Sequence, residues 1–277
     1  MGNMKLDTKP ATDYQIIELL NLLNLSFENY LVPIHFDSSQ FLNMLRKDSV
    51  DKTSSRVFLS GDQPVGIALI ARRGWTSRLA AMGIVKGMRG KKAGTSIMKK
   101  LISEARERND REMVLEVIEQ NEPAVRLYKN CGFETLRRLI SFIHQDTKQD
   151  AVNDLQEMDL RELGRMVLQF GLPDLPWQLS GETIASMTPP AKAYKREEAY
   201  IAISNPDVEH IVIWSLLVEP SARGKGLGVD ILKSIIAHHP SKVWHVPAIW
   251  PEEFGFLFEQ AGFQRTELSQ WQMRLSL

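Results

Sequence analysis

A segment near the C-terminal end of the chain has the residue types and spacing of a phosphate-binding loop. It consists of Arg223, Gly224, Lys225, Gly226, Leu227 and Gly228. Glycine at alternate positions lets the backbone turn tightly and lets a ligand approach it closely. The segment joins an apolar, strand-like run to a run with helical spacing, so unpaired N–H groups at a helix start would face a bound phosphate. The alternative interpretation is a glycine-rich turn before an ordinary helix.

The spacing of these glycine residues excludes two well-known nucleotide sites. The loop of the nucleotide hydrolases requires G-x-x-x-x-G-K-[ST], but Gly228 is followed by Val229 and Asp230. The dinucleotide fingerprint requires G-x-G-x-x-G, and here the third glycine comes one residue too early. If the loop binds a phosphate, that phosphate belongs to another kind of ligand.

The same pattern occurs earlier in the chain. The earlier copy consists of Arg89, Gly90, Lys91, Lys92, Ala93 and Gly94. A second pair of matching segments, 121–138 and 251–268, follows the two loops. Each of these reads as a short helix that ends in Gly-Phe, with Gly132 and Gly262 as the helix C-caps. Because two separate features repeat in the same order, the sequence indicates a tandem duplication.

The length of the chain suits two domains of ordinary size. We place their boundary in the polar segment HQDTKQDAVND, which gives domains of residues 1–149 and 150–277. Apolar periodicity predicts a mixed α/β structure in which each half begins with two helices and continues with strands and two further helices. In the second half it predicts a helix over 152–170 and a loop over 186–195.

Composition limits the class of protein. Hydrophobic residues make up 43% of the chain and charged residues 25%, as in ordinary globular proteins, and the net charge is zero. A small positive excess in the first half and a small negative excess in the second are too weak to predict a nucleic-acid partner. The single Cys131 excludes an intramolecular disulfide, and the longest apolar run, 211–218, is too short to cross a membrane. We expect a cytoplasmic protein without a membrane partner or a metal.

The order of these motifs resembles the GNAT superfamily of acyl-CoA N-acyltransferases. The superfamily's loop reads [QR]-x-x-G-x-[GA], which Arg223, Gly226 and Gly228 fit fully, whereas Lys92 replaces the first glycine of the earlier copy. The downstream signature is complete in the first half, where it consists of Asn121, Ala124, Leu127, Tyr128, Gly132 and Phe133. The resemblance implies two tandem copies of a mixed-sheet α/β domain.

The resemblance also implies an activity and residue roles. The activity is transfer of an acetyl group from acetyl-CoA to a primary amine by direct attack, with the pyrophosphate of coenzyme A held by the two glycine-rich segments. Tyr128 would be the general acid, and Glu116 the base, directly or through water. Asn121 would position the cofactor arm or a water. The backbone N–H groups near Ile84 and Val85 would polarise the thioester carbonyl.

Several alternatives remain open at the level of sequence. Tyr128 could simply pack beside Phe133, and Glu116 could be a solvated strand residue. We favour the first half as the catalytic one, because Phe258 and Val246 stand in the second half where the tyrosine and the glutamate are expected. The second half could instead be active through a water-mediated proton path, or the whole chain could be a non-catalytic acyl-CoA-binding protein. The sequence does not predict whether the acceptor amine is a small molecule or a peptide, nor the oligomeric state.

Overall fold

The computed structural model of the chain describes residues 6–89, 93–145 and 154–277. They form two compact units. Unit 1 comprises Met1–Leu136 and Trp271–Leu277, and unit 2 comprises Arg137–Gln270. The predicted boundary between residues 149 and 150 lies outside the described residues. The units are therefore not two consecutive stretches of chain, because unit 1 includes the C-terminal residues.

The described residues of the first half form four α-helices and six strands. They are β1 (Asp7–Pro10), α1 (Ile16–Ser26), α2 (Ser38–Lys47), β2 (Arg56–Ser60), β3 (Gln63–Arg73), β4 (Thr76–Ile84), α3 (Ala93–Glu107), β5 (Glu112–Ile118), α4 (Glu122–Asn130) and β6 (Glu134–Gln145).

The second half repeats this order element by element. Its elements are β7 (Gln156–Met158), α5 (Leu160–Phe170), α6 (Gly181–Ala185), β8 (Lys192–Arg196), β9 (Ala199–Ile203), β10 (His210–Val218), α7 (Leu227–His238), β11 (Val243–Pro251), α8 (Gly255–Gln260) and β12 (Gln264–Ser276). The identical order confirms the predicted tandem α/β architecture.

Two predictions for the second half are wrong in detail. The predicted helix over 152–170 begins only at Leu160, because the Asp159 side chain caps it by accepting from the Arg161 N–H at 2.7 Å. The described part of the preceding segment forms β7 instead. The predicted loop over 186–195 includes most of β8, which pairs with β7 and β9. Hydrogen bonding to these neighbours makes a strand of a charged sequence that has little apolar periodicity.

In unit 1 a sheet separates two apolar clusters. Its strands follow the order β1-β2-β3-β4-β5, and β12 follows β5. One face carries α3 and α4, with Met98 and Leu101 in the core, and the other carries α1 and α2, with Leu23 and Phe41. The end of β12 completes this unit, because Met273 is fully buried in the α3–α4 core.

Unit 2 repeats this arrangement. Its strand order is β6-β11-β10-β9-β8-β7. Helix α7 packs Ile231 and Ile235 against Trp244 on one face of the sheet, and α5 packs Leu163 and Val167 on the other. Both units therefore bury two sets of helices against one central sheet.

In each unit the two parallel strands separate along their length. In unit 1 the ladder between β4 and β5 joins residues 76–78 to 112–114. Both strands continue beyond this ladder, β4 to Ile84 and β5 to Ile118. In unit 2 the ladder between β10 and β11 joins 210–212 to 243–245. The carboxyl-terminal ends of the parallel pair thus diverge in both units, and the gap of unit 2 opens beside its glycine-rich segment. Such a gap is a natural place for a ligand.

The end of α7 gives unit 2 a pH-dependent stability. Burial lowers the pKa of His239 to about 4, with a further contribution from His238, and His239 Nε2 lies 3.2 Å from the Tyr194 hydroxyl oxygen. His239 is therefore neutral above that pH rather than a cation that complements the helix dipole. Because an unfolded histidine titrates near pH 6.5, its contribution to stability is complete above that value. We expect the melting temperature to fall as the pH drops from about 6.5 to about 4.

The control for this prediction is His239→Gln, which keeps an acceptor for the tyrosine hydroxyl but does not titrate. Calorimetric melting of both proteins across that pH range should give a shallower decline for the variant. Parallel declines would show that other groups cause the acid sensitivity.

Candidate active site

The glycine-rich segment of unit 2 forms a tight turn that ends at the start of a helix. Gly224 and Gly226 have left-handed backbone angles, with φ of +80° and +84°, and Gly226 is the N-cap of α7. A Cβ atom added at Gly224 would meet nothing within 4 Å, so the backbone there is open to an approaching ligand. Lys225 is exposed beside it, and Leu227 and Gly228 form the first turn of α7. The turn therefore needs glycine for its own conformation.

The matching segment of unit 1 is described in part. Gly90, Lys91 and Lys92 lie outside the described residues, and α3 begins directly after them with the buried Ala93 and with Gly94. A Cβ at Gly94 would lie 3.0 Å from Leu127 of α4.

The same packing recurs in unit 2. A Cβ at Gly228 would lie 3.4 Å from Leu257 of α8. In both units a glycine in the first turn of the helix after the loop therefore packs closely against a leucine of the next helix. Gly94 and Gly228 are structural equivalents.

Arg89 of unit 1 donates to backbone carbonyl groups of two segments. Its Nε donates to the Ile84 oxygen at 2.9 Å, and its Nη2 donates to the oxygens of Ser26 and Glu28 at 3.0 and 3.1 Å. The guanidinium thus ties the end of β4 to the end of α1. These contacts use the Nε and Nη2 donors of the guanidinium.

Arg223 makes the equivalent contacts in unit 2. Its Nε donates to the Val218 oxygen at 3.1 Å and its Nη2 to the Phe170 oxygen at 2.5 Å, at the ends of β10 and α5. The arginine that starts each glycine-rich segment therefore has a structural role in both units, a role that the sequence analysis missed.

The backbone N–H groups at the end of β4 face different directions. The Val85 N–H donates to the Val65 oxygen at 2.9 Å, on the side of β3. Because successive N–H groups of a strand point to opposite sides, the Ile84 N–H faces the gap beside β5. Of the two predicted positions, Ile84 is the one whose N–H can meet a ligand in the gap.

Tyr128 lies in α4 with its side chain in the core between α3, α4 and the sheet. It is 8% exposed, and its ring contacts the Phe133 ring edge to face, with centroids 5.9 Å apart. Burial raises the pKa of the Tyr128 phenol well above its ordinary value, and the nearby Tyr30 raises it further. The hydroxyl group therefore keeps its proton at neutral pH and is available as a donor. Packing against Phe133 and proton donation are compatible in this geometry.

Asn121 connects α4 to the segment between α1 and α2. Its Oδ1 accepts from the Ala124 N–H at 3.3 Å, which caps α4, and its Nδ2 donates to the Tyr30 hydroxyl oxygen at 3.1 Å. The Tyr30 ring packs edge-on against Phe27, with centroids 5.1 Å apart. Tyr30, Asn121 and Tyr128 thus form one cluster of polar groups near the end of β5. The sequence analysis missed Tyr30, because it lies in an irregular segment without a motif.

Glu116 lies in a buried ion triad. Its Oε2 accepts from Arg78 Nε at 2.8 Å, and Arg78 Nη1 lies 3.3 Å from Asp48 Oδ2. The side chains of Arg78 and Glu116 are 6% and 3% exposed, so Glu116 is not a solvated strand residue. Within the part of the chain that the structure describes, the other carboxylate oxygen, Oε1, is buried without a hydrogen-bond partner.

Glu116 lies on a different face of β5 from the Tyr128 cluster. Side chains alternate between the two faces of a strand, and the neighbouring Leu115 and Val117 belong to the α3–α4 core with Tyr128. Glu116 therefore points to the opposite face, where α1 and α2 pack. The structure brings Tyr128 and Asn121 together and leaves Glu116 across the sheet from them.

The equivalent positions in unit 2 are apolar. Phe258, which replaces the tyrosine, is 1% exposed and stacks on Phe142 with ring centroids 5.2 Å apart. Trp250 contacts the same ring edge-on, and Val246, at the position of the glutamate, is buried in the same core. Unit 2 therefore offers neither a phenol nor a carboxylate at these two positions.

The gap of unit 2 contains a cavity of about 470 Å³. Its walls come from the ends of β10 and β11, from the glycine-rich turn with the first turn of α7, from α8 and from the end of α5. Pockets of this volume hold small ligands.

Most of the first half of the chain matches the model of a known protein family. Residues 16–133, which include Tyr30, Glu116, Asn121 and Tyr128, match the model of the acetyltransferase (GNAT) family. The first half of the chain is therefore similar to a GNAT domain. No curated protein sequence gives a significant match to the chain.

Solved structures extend the GNAT fold to both halves. A GCN5-related N-acetyltransferase from Sphaerobacter thermophilus has a TM-score of 0.69 at 13% identity, over 98% of this chain and 95% of that one. A tandem GNAT protein from the clavulanic acid biosynthesis pathway has a TM-score of 0.66 at 14% identity, over 98% of both chains. A putative acetyltransferase from Pyrococcus horikoshii has a TM-score of 0.65 at 15% identity, over 100% of this chain and 90% of that one. The chain therefore has the tandem GNAT fold.

No helix in the described ranges has both the length and the apolar character needed to cross a membrane. Residues 6–89, 93–145 and 154–277 contain no group of three or more His, Cys, Asp or Glu side chains placed to hold a metal ion.

Proposed function

We propose that the protein is an N-acyltransferase that moves an acetyl group from acetyl-CoA to a primary amine, and that unit 1 carries out the transfer. The single observation that supports unit 1 most strongly is the cluster of Tyr30, Asn121 and Tyr128 near the end of β5. Unit 2 has Phe258 at the position of Tyr128. The family of residues 16–133 supports acyl transfer as the reaction class.

The reaction requires an oxyanion contact and a proton donor. In the transfer, the amine nitrogen forms a bond to the thioester carbonyl carbon, the carbon–sulfur bond breaks, and the thiolate takes up a proton. We assign the oxyanion contact to the Ile84 N–H, because Val85 uses its N–H within the sheet. We assign the proton donor to the Tyr128 hydroxyl, whose raised pKa keeps it protonated until the thiolate forms.

Tyr30 and Asn121 act as positioning residues in this proposal. The Tyr30 oxygen accepts from Asn121 Nδ2, so its own proton remains available for a neighbouring acceptor. Because Tyr30 belongs to the α1–α2 segment and Asn121 caps α4, their hydrogen bond fixes these two segments relative to each other within unit 1. We propose that it sets the width of the channel through which the acceptor amine reaches the thioester.

Glu116 can serve as the base through one oxygen only. Arg78 holds Oε2, and Glu116 is buried across the sheet from Tyr128, so a proton taken from the amine would go to Oε1 through water. The GNAT family, whose model residues 16–133 match, transfers acyl groups to amines. We therefore propose a primary amine of a small molecule or a peptide as the acceptor, in a reducing compartment such as the cytoplasm, where the single Cys131 remains a thiol.

A second candidate function is binding of an acyl-CoA without transfer. The cavity beside the glycine-rich turn of unit 2 favours it, because that turn fits the phosphate-binding pattern of the superfamily better than the earlier copy does.

The test is the release of free thiol from acetyl-CoA in the presence of a broad panel of primary amines. We expect release to depend on at least one amine and to saturate with it. If no amine raises release above the rate of hydrolysis, the chain is a binding protein and the transferase proposal fails.

A further inference from the structure

We propose that the cavity of unit 2 is a second, non-catalytic acyl-CoA site that prefers a medium-length apolar acyl chain over an acetyl group. The inference rests on the proposed assignment of transfer to unit 1. It starts from the cavity of about 470 Å³ between the ends of β10 and β11. The chemistry of the residues that line this cavity indicates the class of ligand.

One side of the cavity suits the coenzyme A portion. Gly224, Gly226 and the first turn of α7 lie there, and the exposed backbone at Gly224 leaves room for a phosphate group. Lys225 adds an exposed positive charge in the same turn. These features alone do not define a site. Their significance comes from the cavity of about 470 Å³ that they line together with apolar side chains of unit 2.

Another part of the cavity lining is a hydrocarbon wall. Val167, Leu172, Leu175 and Leu179 line it, from α5 and the segment that follows α5. None of these side chains can neutralise a cationic amine, and burying such a charge among them would be unfavourable. A chain of methylene groups gains free energy from leaving water for the same surface. The wall therefore fits an acyl chain and not an acceptor amine.

The cavity also lacks the groups that would use the thioester. Phe258 and Val246 replace the phenol and the carboxylate of unit 1, and both are buried in the core of unit 2. The described cavity lining contains no carboxylate, phenol or imidazole that could move a proton. An acyl-CoA bound here is retained intact, so unit 2 would report the supply of longer acyl-CoA molecules instead of consuming them.

The test measures binding to the full chain carrying Tyr128→Phe, which slows turnover in unit 1. Calorimetric titrations compare octanoyl-CoA, acetyl-CoA and free octanoate. We expect octanoyl-CoA to bind about tenfold or more tightly than acetyl-CoA, because additional methylene groups become buried. Free octanoate should bind far more weakly than the thioester, because it lacks the coenzyme A portion.

A matched pair of variants locates the site. Leu172→Glu places a charge in the hydrocarbon wall from a half-buried loop position, and Val208→Glu makes a similar change at a position that is 45% exposed and outside the cavity lining. We expect Leu172→Glu to weaken octanoyl-CoA binding about tenfold or more, and Val208→Glu to leave it unchanged.

Three results would overturn the inference: acetyl-CoA binding that depends on Leu172 and is as tight as that of octanoyl-CoA, octanoate binding as tightly as its thioester, or full octanoyl-CoA affinity in Leu172→Glu. The outcome does not depend on turnover. A chain that transfers no acetyl group but binds octanoyl-CoA in a Leu172-dependent way would refute the proposed function and retain this site.

Discussion

Replacing Tyr128 with phenylalanine is expected to lower kcat for acetyl transfer about 10²–10⁴-fold, with little change in KM for acetyl-CoA. The change removes one hydroxyl group and keeps the ring, so the edge-to-face contact with Phe133 and the packing of α4 remain. The loss measures the contribution of a positioned proton donor to the departure of the thiolate. Steady-state release of coenzyme A with an amine that the wild-type protein accepts provides the measurement.

Two control variants test whether the rate depends on the Tyr128 hydroxyl in particular. Phe258→Tyr adds the hydroxyl group at the equivalent position of unit 2 and should not raise the rate, because Val246 leaves no carboxylate there. Tyr30→Phe removes the acceptor of the Asn121 hydrogen bond and should lower the rate less than Tyr128→Phe. If Tyr30→Phe abolished transfer while Tyr128→Phe retained it, Tyr30 would be the acid and our assignment would be wrong.

Replacing Arg78 with methionine is expected to lower the free energy of unfolding by about 3–5 kcal/mol. The guanidinium is the cation of the buried triad, and its loss leaves Glu116 as a buried charge without its partner. Methionine has a similar length and an apolar stem, so lost packing contributes little. Urea unfolding followed by far-UV circular dichroism gives the free energy.

The matched control removes the charges together. Asp48→Asn, Arg78→Met and Glu116→Gln in one protein should recover most of the stability, because no uncompensated charge then remains in the triad. If Arg78→Met alone were as stable as the wild type, the triad would be a solvated surface network, contrary to its burial. Glu116→Gln alone should alter the pH dependence of transfer if Oε1 acts as the base.

The sequence predicted the elements whose residues carry their own periodic pattern. The short helix predicted within 121–138 forms as α4, because Asn121 caps it and Gly132 ends it with a left-handed φ of +93°. The short strands β1, β7 and β8 were missed. They are held by hydrogen bonds to neighbouring strands. Such pairing depends on tertiary contacts that no local pattern encodes.

In the candidate site, too, some contacts could be predicted from the sequence and others could not. Asn121 and Tyr128 belong to one motif and lie on one helix, so their proximity follows from the sequence. Tyr30 and Arg78 are brought to Asn121 and Glu116 by the packing of distant segments, and no spacing within the sequence predicts these contacts. For Arg223 the motif itself is recognisable, but the side-chain contact differs from the one that the motif predicts. Its motif pointed to a phosphate, whereas its guanidinium bonds to backbone carbonyl groups.

The most direct test of the assignment of transfer to unit 1 compares Gly94→Asp with Gly228→Asp. The two glycine residues occupy equivalent first-turn positions, each facing a leucine of the next helix at 3.0 and 3.4 Å. Aspartate there suits the helix dipole but repels a pyrophosphate bound at the helix start. The measurement is kcat/KM for acetyl-CoA with a working amine. We predict a loss of about 100-fold or more in Gly94→Asp and a change of less than about twofold in Gly228→Asp. The reverse result, with transfer lost only in Gly228→Asp, would place the active site in unit 2 and contradict the account.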